Sequence, residues 1–350
     1  MKRDRRLLLA LWGLLGVLVA GISVWHPTQA TSPDSAHYLR LATAWSTYTG
    51  IFPPGYSGLI WLVSGITSLP VLWASKFVNW LALGYFGWAW ACRVGMKRAV
   101  FLLCIWLLPG NLRLLAYTWS ETLFIVLLLE TVWTLNCLQV GPTRAHAHRM
   151  VGLLVALVWV RYVGLFLVLA QWSIAVRRTA VRRTVSLNIL LGIAPLILLN
   201  HFLTGHPFGG PRLLPTEAWP ELLNIVSVAA LNEVLLYDYR PGRQTEFVGF
   251  MALVQALEII IAICWLRRTF IGQSVTVIPT PLARRLFGVG LAYFLTLFVL
   301  RTISPFDPLN ERLMAPGSVC WLVALVISIQ SQHSIISRSP ERADTFTNPS

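Results

Sequence analysis

The sequence predicts an all-α, polytopic transmembrane bundle of about ten spans, with interfacial helices in the first outer loop. Three observations predict it. Of 350 residues, 56% are hydrophobic and only 12% are charged, a balance that soluble proteins of this size rarely show. Several apolar runs reach the ~20 residues that a bilayer crossing needs, and the mean hydropathy is +0.66. The cations, finally, fall in short runs between the apolar ones. The formal charge of +14 therefore reads as a set of topology signals under the positive-inside rule. No basic-aromatic domain accompanies it, so nucleic acid is not an expected partner. Sixteen tryptophans suit interfacial belts. The five cysteines are scattered, and their spacing builds neither a metal site nor a disulfide framework.

Lys2, Arg3, Arg5 and Arg6 precede an apolar run from Leu7 to Trp25. A cleaved leader ending near Thr28-Gln29-Ala30 is the rival reading. The run is longer than a usual leader core, which favours an uncleaved anchor. Either reading puts the following loop, Thr31 to Tyr56, outside the cytoplasm.

In that loop Ser32 is a good helix cap, Pro33 suits the first helical position and Asp34 falls in the first turn. Tyr38, Leu41, Ala42, Trp45 and Tyr48 recur at helical spacing as one apolar stripe. The spacing predicts a surface helix with one carboxylate at its N-terminal end. Phe52-Pro53-Pro54-Gly55-Tyr56 then stops the helix and turns the chain towards lipid.

The charges set the direction of each later segment. Val71 to Ala91 runs inward to Arg93, Lys97 and Arg98, which leaves Tyr56 to Leu69 as a peripheral segment. Ala99 to Ala116 runs outward, and Glu121 to Val140 returns to Arg144, His146, His148 and Arg149. Met150 to Val176 lies between two cationic clusters. A hairpin turning at Arg161 keeps both inside and puts Arg161 near the outer face. Val185 to Leu203 runs outward. A long polar segment, Thr204 to Phe247, contains a surface helix from Thr216 to Leu236. Val248 to Leu266 returns, Leu286 to Ile303 runs outward, and Leu313 to Ile329 comes back after a short outer loop. One transmembrane domain thus covers residues 1–330, and residues 331–350 form a polar cytoplasmic tail expected to be disordered. Glu130 and Glu258 remain within spans, where they must snorkel or pair.

Most acids fall at the outer face. A cavity there would be lined by Asp34, His37, Lys76, Glu121, Arg161, Arg212, Asp307, Glu311 and Arg312. Carboxylates beside arginines suit a reaction in which a proton is removed and a phosphate leaves. Each residue also has a plainer role open to it. Asp34 and Glu121 complement helix starts, Lys76 reaches towards headgroups, and His37 packs at the surface. Arg161 anchors at the interface, Arg212 is solvated, and Arg312 pairs with Asp307 or Glu311. His146 and His148 lack a partner for a metal. There is no phosphate-cradling Gly-rich loop ending in Gly-Lys-Ser/Thr, no His-Glu-x-x-His and no Gly-x-Ser-x-Gly.

The order of these pieces resembles the GT-C superfamily of membrane glycosyltransferases, in particular the protein mannosyltransferase and aminoarabinose transferase relatives. The pieces are Asp34 and Tyr38 in the first outer loop, Phe52-Pro53-Pro54-Gly55-Tyr56, and Ser120-Glu121 before a span. Arg161-Tyr162 in a short hairpin, Gly205-His206-Pro207-Phe208-Gly209 after a span, and Arg312 near the last outer loop complete the set. The resemblance runs to about residue 316. It implies an inverting transfer of a sugar from a polyprenyl-phosphate donor to a lipid, glycan or protein acceptor. Asp34 would be the general base, with Arg161, Arg212 and Arg312 on the donor phosphate. Tyr38, Lys76 and Glu121 complete the expected substrate-binding set. Many relatives carry a second acid directly after the aspartate; here Ser35 stands there, which weakens a metal site and leaves a divalent ion open. The expected location is the plasma (inner) membrane, with the site on the non-cytoplasmic side. The competing classes are a transporter or lipid-glycan flippase, which calls for an internal repeat, and a non-catalytic scaffold. An intramembrane protease would need a nucleophile paired with a base, and none is recognisable.

Overall fold

A computed structural model describes residues 2–168, 179–207, 218–235, 260, 275–277, 280–303 and 310–331. The chain is helical. Its helices are α1 (Lys2–Trp25), α2 (Pro33–Thr43), α3 (Gly55–Thr67), α4 (Val71–Val94), α5 (Met96–Cys104) and α6 (Pro109–Ala116). They continue as α7 (Glu121–Val140), α8 (Arg144–Val160), α9 (Thr179–Thr204), α10 (Trp219–Leu235), α11 (Pro281–Ile303) and α12 (Glu311–Ser328). One short antiparallel pair, β1 (Val275–Val277) with β2 (Ile329–Ser331), departs from the all-α expectation.

α7 is the centre of the bundle, packed against α4, α8, α11 and α12. Its sequence explains this position. Phe124, Ile125, Val126, Leu129, Glu130, Thr131 and Thr134 are buried all round the helix rather than along one stripe, as expected of a helix enclosed by others. A smaller cluster of Tyr38, Ala42, Tyr56, Ile60, Ala74 and Val78 seats the surface helix α2 on α3 and α4.

Small residues set the close crossings. The Trp12 and Trp80 rings stack at 4.0 Å, and each indole N–H donates to the other residue's carbonyl at 3.0 Å. Gly16 and Gly84 make room for them, since a Cβ at either would come within 2.7 Å of the facing indole. This reciprocal clasp fastens α1 to α4. Gly55 works in the same way, because a Cβ there would lie 2.5 Å from the Trp159 carbonyl oxygen. The Pro-Pro-Gly-Tyr block therefore starts α3 and lets it approach α8; it does not stop α2, which has already ended at Thr43, so Trp45 and Tyr48 lie beyond the helix whose stripe they were expected to continue.

Four described helical stretches are long and apolar enough to cross a membrane: Lys2–Trp25, Glu121–Val140, Val185–Thr204 and Pro281–Arg301. Counting each of two bent pairs as one crossing raises this to six. The figure of about ten expected from sequence is not reached: α8 and α12 are shorter than a full crossing, and part of the chain lies outside the described residues. Val248 to Leu266 lies outside the described residues, apart from residue 260. Ala99 to Ala116, expected as one straight span, is broken: α5 ends in a 3-10 turn at Ile105–Leu107, and α6 begins at Pro109 after a bend of 82°. Proline at a helix start both ends the preceding run and pre-sets the next.

α3 meets α4 at 106°. With 13 residues it is ~20 Å long, too short to cross alone, in keeping with a peripheral segment. Within Thr216 to Leu236, where a surface helix is expected, the structure forms the helix α10. Glu130 is paired, as its depth requires: Arg93 grips it from α4 (Nη2–Oε2 2.7 Å) and Arg149 from α8. Glu258 lies outside the described residues, as does the tail beyond Ser331.

Candidate functional site

Asp34 is held by the start of α2. The Ser32 hydroxyl accepts from the Ser35 N–H at 3.3 Å, and the Ser35 hydroxyl accepts from the Ser32 N–H at 3.0 Å, a reciprocal capping box. The Trp119 indole N–H donates to the same Ser32 hydroxyl at 2.8 Å. The cap is thereby tied to the segment that leads into α7.

Glu121 is the first residue of α7 and only 1% exposed. Arg161 directly follows α8. There the chain turns back: Gly164 packs so closely on Leu157 that a Cβ would lie 2.7 Å from its carbonyl carbon. Residues seven apart in a continuous helix would be ~10 Å apart. The chain therefore turns at Arg161 as expected; of the second arm of the hairpin only residues 164–168 are described. Arg312 is the second residue of α12, whose first turn is capped by the Asn310 side chain.

These helix ends converge. Arg312 Nη2 lies 2.6 Å from Asp34 Oδ2, and Arg312 Nε lies 2.7 Å from Glu121 Oε1. Arg161 Nη1 pairs with the same Glu121 oxygen. Glu121 Oε1, Arg161 Nη1 and Arg312 Nε are buried in ion-pair contact without aligned hydrogen bonds, so charge and proximity carry the attraction. Two acids and two arginines balance formally. The Trp119 ring lies 4.9 Å from the Arg312 guanidinium carbon, and the Phe124 ring lies 6.0 Å from that of Arg161. These faces add a cation–π attraction to each guanidinium. Asp34 keeps 22% of its side chain exposed and is the open end of the cluster. It shares Arg312 with Glu121, so a divalent ion drawn to both carboxylates would have to displace a guanidinium. Among the described residues no group of three or more His, Cys, Asp or Glu side chains is placed to hold a metal.

The chain matches no family model, no curated protein and no solved structure. Its function must be read from this geometry.

The other expected residues fall elsewhere. Tyr38 is buried, with its hydroxyl 2.9 Å from Ser120 Oγ. Burial first, and then the Glu121 carboxylate, push its phenol up to about 12, so it stays protonated. Ser120 thus braces Tyr38 and does not cap α7. Lys76 is buried and donates to the Ala30 carbonyl at 2.9 Å. It supports the backbone just before the cap of α2, where Gln29 and Ala30 both adopt left-handed conformations. Arg212 and Asp307 lie outside the described residues, as does the side chain of Glu311.

Two features escaped the sequence reading. The first is Trp119, which touches both Arg312 and Ser32. The second is a hydroxyl-amide network at the Arg161 turn. Tyr162 donates to the Gly50 carbonyl at 2.8 Å and accepts from Asn200 Nδ2 at 2.9 Å, while Tyr48 donates to Asn200 Oδ1. Asn200 in an apolar run was the available signal, since a buried amide requires partners. The network fixes the loop after α2, where Gly50 supplies the positive φ of 71°. Between that loop and α2 lies a small depression open to solvent, whose walls include His37, Tyr38, Tyr48, Thr49, Phe52 and Ser57.

Proposed function

We propose that this chain is a membrane glycosyltransferase of the GT-C kind. It moves a sugar from a polyprenyl-phosphate donor to a lipid, glycan or protein acceptor. The observation that carries this reading is the Arg312 bridge between Asp34 and Glu121, with Arg161 on the far side of Glu121. A partly exposed carboxylate beside two held guanidinia has the parts such a transfer needs.

In the proposed reaction Asp34 accepts the proton of the acceptor hydroxyl. The acceptor oxygen forms a bond to the anomeric carbon, and the carbon–oxygen bond to the phosphate breaks. The electron pair leaves with the polyprenyl phosphate, and Arg312 and Arg161 stabilise the charge that develops there. Attack opposite the leaving group inverts the anomeric centre. Glu121 acts as a positioning residue that keeps both guanidinia together before donor arrives. Arg312 is paired with the base in this state. A donor phosphate that draws Arg312 away would release Asp34 for the acceptor.

In this reading the protein crosses the plasma (inner) membrane about ten times, and the cluster faces the non-cytoplasmic side. The donor's isoprenoid chain lies in the bilayer beside it.

Mass analysis of membrane glycolipids and envelope glycans, with and without the protein, tests the function. One glycosylated species should disappear without the protein and stay absent when only Asp34→Asn is supplied. Restoration of that species by Asp34→Asn overturns the mechanism.

A second reading, a transporter or lipid-glycan flippase, is favoured by one observation. Glu130 sits midway along α7 with Arg93 and Arg149, and charges at such depth often mark a permeation path. Uptake of a labelled solute into vesicles, with no glycosyl product, would select it.

A further inference from the structure

We infer that the charged group around Glu130, between α4, α7 and α8, is a binding site for an anionic phospholipid. The headgroup phosphate sits against Arg149, and an acyl chain lies along α4. This site is separate from the Asp34 cluster and does not depend on the transferase reading.

The first argument is charge. Glu130 is buried, and Arg93 takes both of its oxygens, Nη1 on Oε1 at 2.5 Å and Nη2 on Oε2 at 2.7 Å. The Arg93 guanidinium is packed 5.1 Å from the Trp133 ring and 5.9 Å from that of Trp90. This pair is already neutral. Arg149 Nη2 nevertheless comes to the same Oε2, and the Tyr85 hydroxyl donates to it at 3.1 Å. Among the described residues Glu130 is the one acid in ion-pair contact with either arginine. Two cations and one anion leave a net positive charge, which is costly at the edge of hydrocarbon unless an anion answers it.

The second argument is position. Arg149 is the open member of the group, with 40% of its side chain exposed against 11% for Arg93 and 2% for Glu130. Its Nη2 also donates to the Tyr85 hydroxyl at 3.3 Å. Tyr85 belongs to an exposed stripe on α4 with Leu81 and Trp88, at spacings of four and three residues that keep the three on one face. The Tyr85 and Trp88 rings lie 6.4 Å apart. Rings of this kind, apolar with a polar tip, favour the level of the headgroups. The open guanidinium therefore stands where an apolar, outward-facing stripe reaches that level.

The third argument is the chemistry of the occupant. A phospholipid phosphate can offer oxygens to the Arg149 guanidinium while its chain covers Leu81, Tyr85 and Trp88. Basic pockets between helices are typical sites for such headgroups. Arg93 lies in the last turn of α4 and Arg149 in the second turn of α8. Glu130 is nine residues, ~14 Å, along α7 from Glu121. The lipid thus belongs to the leaflet opposite the Asp34 cluster, which is the cytoplasmic one in the proposed orientation. Arg93 keeps its hold on Glu130 whether or not the lipid is present, so the site is preformed.

The test is native mass spectrometry of the full chain in detergent. It is titrated with phosphatidylglycerol and, separately, with phosphatidylcholine of the same acyl chains. Wild type should retain phosphatidylglycerol more tightly, and excess inorganic phosphate should not displace it. Arg149→Gln should weaken phosphatidylglycerol binding about fivefold, the scale of one cation removed from beside an anionic lipid, and leave phosphatidylcholine unchanged. Trp88→Glu, which sets an acid on the exposed stripe, should do the same and carries the comparison if Arg149→Gln does not fold. Arg144→Gln, on the same helix but exposed and outside the group, should bind as wild type does. Equal retention of the two lipids overturns the site, as does wild-type binding in both Arg149→Gln and Trp88→Glu. A loss in Arg144→Gln as large as that in Arg149→Gln means a diffuse basic surface and also overturns it. Displacement by inorganic phosphate overturns the choice of a lipid.

Discussion

Arg312 lies 2.6 Å from Asp34 through Nη2 and 2.7 Å from Glu121 through Nε. One guanidinium thereby couples the proposed base to a buried acid that is itself held by a second arginine. Arginine holds its donors in a rigid planar fork that fixes two carboxylates in one geometry, whereas a lysine ammonium is a compact point charge on a flexible stem. Arg312→Lys should therefore fold yet transfer sugar some 10²–10³-fold more slowly at saturating donor, the usual cost of losing one preorganised donor at a developing anion. A turnover assay with labelled polyprenyl-phosphate sugar measures this. Wild-type turnover in Arg312→Lys would remove Arg312 from the reaction.

Asp34 is the exposed member of the cluster, and its helix start is secured by Ser32 and Ser35 rather than by its own side chain. Asp34→Asn should leave the thermal unfolding midpoint close to wild type while product formation disappears. A large fall in the midpoint would identify Asp34 as a structural counter-ion instead.

Glu121 is a different case. Its carboxylate is almost fully buried between Arg161 and Arg312. Removing one partner from such a group leaves charge uncompensated, at a cost of about 3–5 kcal/mol. Glu121→Gln should lower stability on that scale in detergent. The double variant Glu121→Gln with Arg161→Met should recover part of the loss. Additive losses would mean that the two residues do not interact.

Burial pushes the Tyr38 phenol from an ordinary 10.0 up to about 12. The folded state then holds a proton that the unfolded chain releases above pH 10. Tyr38 contributes its full stability below pH 10 and loses it as pH rises towards 12. Unfolding midpoints of wild type and Tyr38→Phe should run parallel up to pH 10 and converge above it. Curves that stay parallel to pH 12 would show that Tyr38 ionises as freely in the folded protein.

A Cβ on Gly55 would meet a backbone oxygen of α8, not a flexible side chain. Gly55→Ala should cost about 1–3 kcal/mol through overpacking, readable as a lower midpoint with the helix content retained. An unchanged midpoint would mean that α3 and α8 can separate freely.

Local signals were legible in the sequence. Ser32-Pro33-Asp34 announced the start of α2, and the charges on either side of Arg161 required a reversal there. The convergence of Asp34, Glu121, Arg161 and Arg312 followed from placing outer-face charges in one cavity. What stayed hidden depends on tertiary partners. Lys76 looks like a headgroup anchor until Ala30 presents its carbonyl, and nothing local to Lys76 encodes that turn. Trp119 reads as an interfacial tryptophan until the cap residue Ser32 and Arg312 meet it. The break between α5 and α6 was written in Leu108-Pro109-Gly110 and was overlooked because the run around it is apolar.

α7 carries two acids nine residues apart, Glu121 and Glu130, and α8 sends an arginine to each, Arg161 and Arg149. Two rivets ~14 Å apart along one helix forbid sliding or rocking between the pair, because either motion would break both at once. α7 and α8 must travel as one plate. In the proposed reaction, the element left to move when donor enters is α12, which is joined to the plate through Arg312.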